Sequence, residues 1–180
     1  MERIRDFSSL FLRIALGLSF LSAVADRFGL WGAFGQPSVA WGNFARFVAY
    51  TGKLNWFLPE TMISALAIIA TCAEASLGLC LVIGWRTRSA TLMSGILLIL
   101  FGVSMTVALG VKAPLNFSVF SAAGGAFLLA TCKEFPFSVD NLLRSSCIAA
   151  ARRDEVNRGP EQGRDSNSPP PFPRECARTY

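Results

Sequence analysis

Hydrophobic positions in this chain come in long, nearly unbroken runs instead of the spaced stripes of a soluble amphipathic helix. Residues 7–28, 62–84, 89–110 and 115–132 are each dominated by apolar or small side chains. At about 1.5 Å rise per residue, some twenty such residues cross a hydrocarbon layer about 30 Å thick. The pattern therefore predicts an all-α protein with four transmembrane helices in a bundle. Residues 29–59 have another character, with Trp31, Trp41, Tyr50 and Trp56 set among glycines and phenylalanines. Amphipathic rings of this kind favour the membrane–water interface. Val39, Phe44, Phe47 and Val48 recur at near-helical spacing while Arg46 and Lys53 fall on other faces, which predicts a short interfacial helix punctuated by Gly52 and Pro59. This loop reads as an anchor capping the bundle, with a lid over an interhelical opening as the alternative. Lys133 and Pro136 close a membrane domain over 1–136. Residues 137–150 predict a short helix starting near Ser138 with Asp140 in its first turn, and the polar, proline-bearing stretch 151–180 reads as a disordered tail in which Pro169–Pro173 is only a short proline run.

Charge changes the picture by giving the bundle a direction. Residues 1–133 carry ten Lys/Arg against five Asp/Glu, whereas 134–180 carry seven of each, so the net +5 belongs to the membrane part. Arg3, Arg5, Arg86, Arg88 and Lys133 gather on the side of the termini, and Arg27, Arg46, Lys53 and Lys112 on the other. The excess places both termini in the cytoplasm of a bacterial cell, with the chain in its inner membrane. The same distribution leaves no basic cluster on a soluble module, and nucleic acid is excluded as a partner. Ala23-Val24-Ala25 before Asp26 fits a signal-peptidase pattern, but Arg13 interrupts the apolar run and its length exceeds a typical signal core, so an uncleaved first helix is expected.

Chemistry is limited by what the chain lacks. Without a histidine there is no imidazole metal ligand and no Ser/His or Cys/His pair. The five cysteines, Cys72, Cys80, Cys132, Cys147 and Cys176, form no C-x-x-C motif and read as packing residues. No catalytic residue, metal site or intrinsic cofactor is assigned, and catalysis by this chain alone is not expected. Two ionisable residues inside apolar runs do need a reason, Arg13 in the first and Glu74 in the second. Counted from the same membrane face their heights are close enough for an arginine side chain to bridge, so an Arg13–Glu74 ion pair across the first two spans is the leading candidate. Such a pair either braces helix register or lines a pocket for a polar head group. A quinone suits the second role, since its ring oxygens need donors and its tail needs lipid. Asp26 and Arg27, nearer the opposite face, are secondary candidates. The runs Arg13-x3-Gly17 and Glu74-x3-Gly78 echo one another at a constant offset, a match among residues common in membrane helices.

Taken together these residues resemble the DoxX family of small bacterial membrane proteins. The likeness covers roughly residues 7–143. It is carried by Arg13-Ile14-Ala15-Leu16-Gly17 with Phe20, by Ala73-Glu74 followed by Leu77-Gly78 and Gly84, by Arg86 and Arg88, by the aromatic stretch from Val39 to Pro59, and by Val111-Lys112-Ala113-Pro114-Leu115. The resemblance implies a four-helix bundle with recurrent charges at the positions of Arg13 and Glu74. It also implies kinship with the DoxD-type subunit of thiosulfate:quinone oxidoreductase, and with members that serve thiol or oxidative stress complexes. Many members carry a lysine and small residues where this chain has Asp26-Arg27. The function expected on that basis is a subunit or accessory of a quinone-linked redox system, holding an amphiphile between helices and working with a redox partner protein. A non-enzymatic carrier or assembly factor with a bracing Arg–Glu pair is the alternative. The lipid bilayer is the expected neighbour, and further copies of the chain are candidate partners.

Overall fold

The computed structural model describes residues 2–132, 135 and 138–141. These form six helices: α1 (Glu2–Arg27), α2 (Phe44–Leu54), α3 (Glu60–Ile83), α4 (Thr87–Leu109), α5 (Lys112–Asn116) and α6 (Val119–Ala130). Three of them, α1, α3 and α4, are long and apolar enough to cross a membrane. Their surface is built for lipid. Phe7, Phe11 and Leu18 on α1, Ile68, Ile69 and Leu79 on α3, and Leu92, Ile96, Leu100, Val103 and Val107 on α4 all point outward and exposed. A helix apolar on every side is one that lies in a core or in a bilayer, and with this much unburied apolar surface the chain reads as an integral membrane protein.

Inside, the helices meet through small and polar residues. The buried stripe of α3 is Ala67, Ala70, Thr71, Glu74, Gly78 and Leu81, and that of α4 is Thr87, Ala90, Thr91, Ser94, Gly95, Gly102 and Met105. Both follow helical periodicity, and both favour residues that let backbones approach closely, the usual driving geometry where lipid tails compete with apolar side chains. The antiparallel α1 and α3 cross at Gly17 and Gly78. A Cβ on Gly17 would stand 3.0 Å from the Gly78 carbonyl oxygen and one on Gly78 3.0 Å from that of Gly17, so neither position has room for a side chain. Phenylalanines of α6 fill the glycine gaps of α4: a Cβ on Gly95 would lie 2.6 Å from the Phe127 ring, and one on Gly102 2.7 Å from Phe120. A core of Leu16, Phe20, Leu81, Ala90, Ala126 and Leu129 joins α1, α3, α4 and α6.

The membrane helices run close to their expected limits, with Gly84 ending α3 in a left-handed conformation (φ 78°) and Gly110 ending α4 (φ 83°). Three details differ. The charged opening residues are already helical, so α1 begins near Glu2. Gly52 lies within α2, whose N-cap is Asn43, its side-chain oxygen accepting from the Arg46 amide. The last apolar run is broken. Ser118 takes a left-handed φ of 54°, leaving α5 with 5 residues and α6 with 12. At about 1.5 Å per residue α6 is roughly 18 Å long, short of a full crossing. A serine gives no warning of such a break, because the conformation that marks it is ordinarily taken by glycine or asparagine. Of the short helix expected from residue 137, residues 139–141 are helical and the Ser138 hydroxyl accepts from the Asn141 amide. Its remainder, and the tail 151–180, lie outside the described residues.

Candidate functional site

Glu74 lies at the centre of the buried stripe of α3 and is 2% exposed. Its ion-pair partner is Arg27. The Arg27 Nη2 donates to both carboxylate oxygens at 2.7 Å, and Nη1 donates to the Thr71 hydroxyl at 2.8 Å. Thr71 in turn donates to the Ala67 carbonyl at 2.8 Å, so its single hydrogen is spent on its own helix and its oxygen is left to receive the arginine. The guanidinium also meets two aromatic rings, with Phe47 of α2 at 3.6 Å and Trp41 at 5.4 Å from the arginine carbon to the ring centroid. Trp41 packs edge-on to Phe47 at 5.2 Å. Charge, hydrogen bonds and ring faces thus enclose Arg27, whose side chain is 3% exposed.

The pairing differs from the Arg13–Glu74 bridge that residue heights suggested. Side chains on an α-helix lean toward its N-terminus. From the Gly17/Gly78 crossing, Arg13 lies four residues one way along α1 and Glu74 four residues the other way along the antiparallel α3, a separation of about 12 Å, and the Arg13 side chain leans away. Its Nη1 sits instead beside Gly84, 2.8 Å from where a Cβ would stand, ten residues along α3 from Glu74. Arg27 starts about 9 Å beyond Glu74 in the opposite direction but leans back toward it, and its length closes the gap. The two arginines start at comparable distances from Glu74, about 12 Å and about 9 Å, and the direction of lean decides between them.

Asp26, the neighbouring secondary candidate, is 5% exposed. One carboxylate oxygen, Oδ2, accepts from the Ala40 and Trp41 amides, both at 3.0 Å. That contact folds the aromatic loop back onto the end of α1 and delivers Trp41 to the arginine. Trp31 adds a second tie, its indole N–H donating to the Ser22 carbonyl at 3.1 Å. The far end of α2 is held by Asn55, which donates to the Thr51 carbonyl at 3.0 Å and accepts from the Ser104 hydroxyl of α4 at 3.3 Å. The four candidate residues thus divide into two places: Arg27 and Glu74 meet beneath α2 with Asp26 tied to the neighbouring loop, while Arg13 belongs to the opposite end.

Among the described residues, two buried polar atoms near this centre find no hydrogen-bond partner, Arg27 Nε and Asp26 Oδ1. One is a donor and the other an acceptor. A buried polar group left unpaired costs about 1–3 kcal/mol. Thr71, Trp41 and Phe47 escaped the reading of the sequence as members of the site. Thr71 is one turn from Glu74 on the same face, a signal that i to i+3 spacing carries, whereas the aromatic pair is brought in by the Asp26 fold-back, which no local pattern announces. Among the described residues no three Cys, Asp or Glu side chains gather in one place, and Cys72, Cys80 and Cys132 stand separately as thiols.

Compared with protein-family models, with curated proteins and with solved structures, the chain matches none of them. The class of protein is accordingly defined by the fold and the site: a helical membrane protein with an occluded arginine–carboxylate pair set against aromatic rings.

Proposed function

We propose that this chain is a DoxX-like subunit of a quinone-linked redox system in the bacterial inner membrane. It holds a small amphiphile beneath α2 at Asp26, Arg27, Thr71 and Glu74. In this reading α5 and α6 together make the fourth crossing of a four-helix bundle, both termini are cytoplasmic, and a redox partner protein meets the complex. The observation that carries it is the pair of unused buried atoms. A brace alone gains nothing from an unpaired Arg27 Nε and Asp26 Oδ1, whereas a quinone ring oxygen can accept from the first and a quinol hydroxyl can donate to the second. The aromatic rings of Trp41 and Phe47 suit a flat ring as guest, and the lipid-facing walls suit its tail. Catalysis is left to the partner, since the centre contains no nucleophile with an adjacent base.

The non-enzymatic alternative, a carrier or assembly factor whose pair is a brace, is favoured by a different observation: both Glu74 oxygens are already bonded to Arg27 at 2.7 Å. Quinone content of the protein purified in lipid nanodiscs separates the two. The amphiphile reading expects near-stoichiometric quinone in the wild type, and its loss in Arg27→Met/Glu74→Leu, a double variant of preserved volume that should still fold because replacing both members of a buried pair by apolar groups is commonly tolerated. Quinone absent from the wild type, or retained by the folded double variant, favours the brace.

A further inference from the structure

A second charged centre lies at the other end of the molecule, where α3 turns into α4. Arg13, on the same face of α1 as Leu16 and Phe20, is 2% exposed. Its Nη1 meets the chain after α6 over a single residue: the site of a Cβ on Gly84 is 2.8 Å from Arg13 Nη1 and 2.7 Å from the Ser138 Cβ. Only glycine leaves space for both, and its left-handed φ of 78° excludes most other residues independently. The Gly84 carbonyl accepts from the Asp140 amide at 3.2 Å. The Asp140 carboxylate then reaches over the turn, Oδ1 accepting from the Arg86 amide at 2.8 Å and Oδ2 from the Thr87 amide at 2.7 Å.

Those amides open α4, which has no side-chain cap of its own because Arg86 occupies its N-cap position at a left-handed φ of 45°. A helix beginning normally finds its cap in the residue just before it. Here the cap comes from a residue 53 positions away in the chain, and it brings a negative charge to the positive end of the helix dipole. Arg13 and Asp140 meet around Gly84, the one through its Nη1 and the other through its amide, which brings the carboxylate's charge near a cation inside an apolar span.

We infer that residues 138–141 form a charge-dependent strap, in which the one Asp140 carboxylate caps α4 and neutralises Arg13 at the same time, fastening the chain after α6 to the ends of α1, α3 and α4. Releasing the strap bares a buried arginine and an uncapped helix together, so any pull on the chain beyond Asn141 acts on both. The inference stands apart from the quinone reading, because it uses none of the residues beneath α2.

The two duties of Asp140 can be separated. Asparagine retains an acceptor oxygen for the helix amides but not the charge, and alanine retains neither. The test is amide exchange at Arg86 and Thr87, with the thermal midpoint, on full-length protein in nanodiscs. Asp140→Ala should raise exchange at both amides at least tenfold. Asp140→Asn should keep much of that protection yet lower the midpoint, and Arg13→Met/Asp140→Asn should restore the midpoint. Should Asp140→Ala fail to fold, Arg13→Met/Asp140→Ala should fold in its place. Unchanged exchange in Asp140→Ala, a wild-type midpoint in Asp140→Asn, or no rescue by Arg13→Met would overturn the strap.

Discussion

At the scale of single residues the chemistry rests on Arg27 and Glu74, each tolerable in the membrane because of the other. Removing one member of a buried pair leaves an uncompensated charge, typically costing 3–5 kcal/mol, whereas replacing both is often neutral. Glu74→Leu alone is therefore expected to lose about that much stability in reversible unfolding, and Arg27→Met added to it should recover most of the loss. A double variant as unstable as the sum of its singles would contradict the pairing. Glu74 was legible from the sequence, because a carboxylate alone in an apolar run has few explanations. Its partner was not, since a count of residues gives height and says nothing of lean. Tyr50 offers a check on α2. Burial pushes its phenol above the usual range, so the folded protein holds that proton more tightly than the unfolded chain, and the associated stability is fully present below the ordinary phenol value and lost as pH rises from there through the raised one. In an alkaline absorbance titration Tyr50 should ionise later than it does after unfolding, and Tyr50→Phe should remove that late phase. An ordinary titration would place the ring in water.

At the scale of elements, helix contacts are set by where side chains are missing. Gly17 and Gly78 let α1 and α3 touch, and Gly95 and Gly102 receive Phe127 and Phe120. Gly95→Leu or Gly102→Leu should force α6 off α4, with a loss of about 1–3 kcal/mol or more from overpacking. Gly124→Ala serves as the control: nothing lies within 4 Å of its Cβ position, so it should be neutral or slightly stabilising through helix propensity. Equal damage from both kinds of variant, read as thermal midpoints, would mean that the α4–α6 contact is misplaced. The glycines themselves are visible in the sequence, but their pairing is not, because it depends on which helices become neighbours. The break at Ser118 was likewise hidden in a run dominated by apolar and small residues.

At the scale of the whole molecule, the outward apolar faces and the buried polar stripe define a protein turned inside out relative to a soluble one, and that much the long apolar runs announced. What they could not announce is the separation of charge into two centres, one beneath the aromatic helix α2 and one at the α3–α4 turn. Each is assembled by a segment outside the long spans: the Asp26 fold-back in the first case, the chain after α6 in the second. Local periodicity carries no information about such returns. If α3 crosses the membrane with both termini cytoplasmic, as proposed, a cysteine placed at Gly35 in the aromatic loop should react with a membrane-impermeant thiol reagent from outside, and one at Trp85 in the turn only from the cytoplasmic side. The reverse pattern would remove the orientation proposed here.

The most direct test of the account is a pair of double-mutant cycles on Glu74→Gln, one with Arg27→Gln and one with Arg13→Gln, measured by reversible unfolding in the same detergent. The account predicts a coupling of about 1.5 kcal/mol or more between Glu74 and Arg27, in the range of close charge pairs, and near-additivity within about 0.5 kcal/mol between Glu74 and Arg13, as for distant sites. Coupling of Glu74 to Arg13 instead would contradict the assignment of the two centres on which both the ligand site and the strap depend.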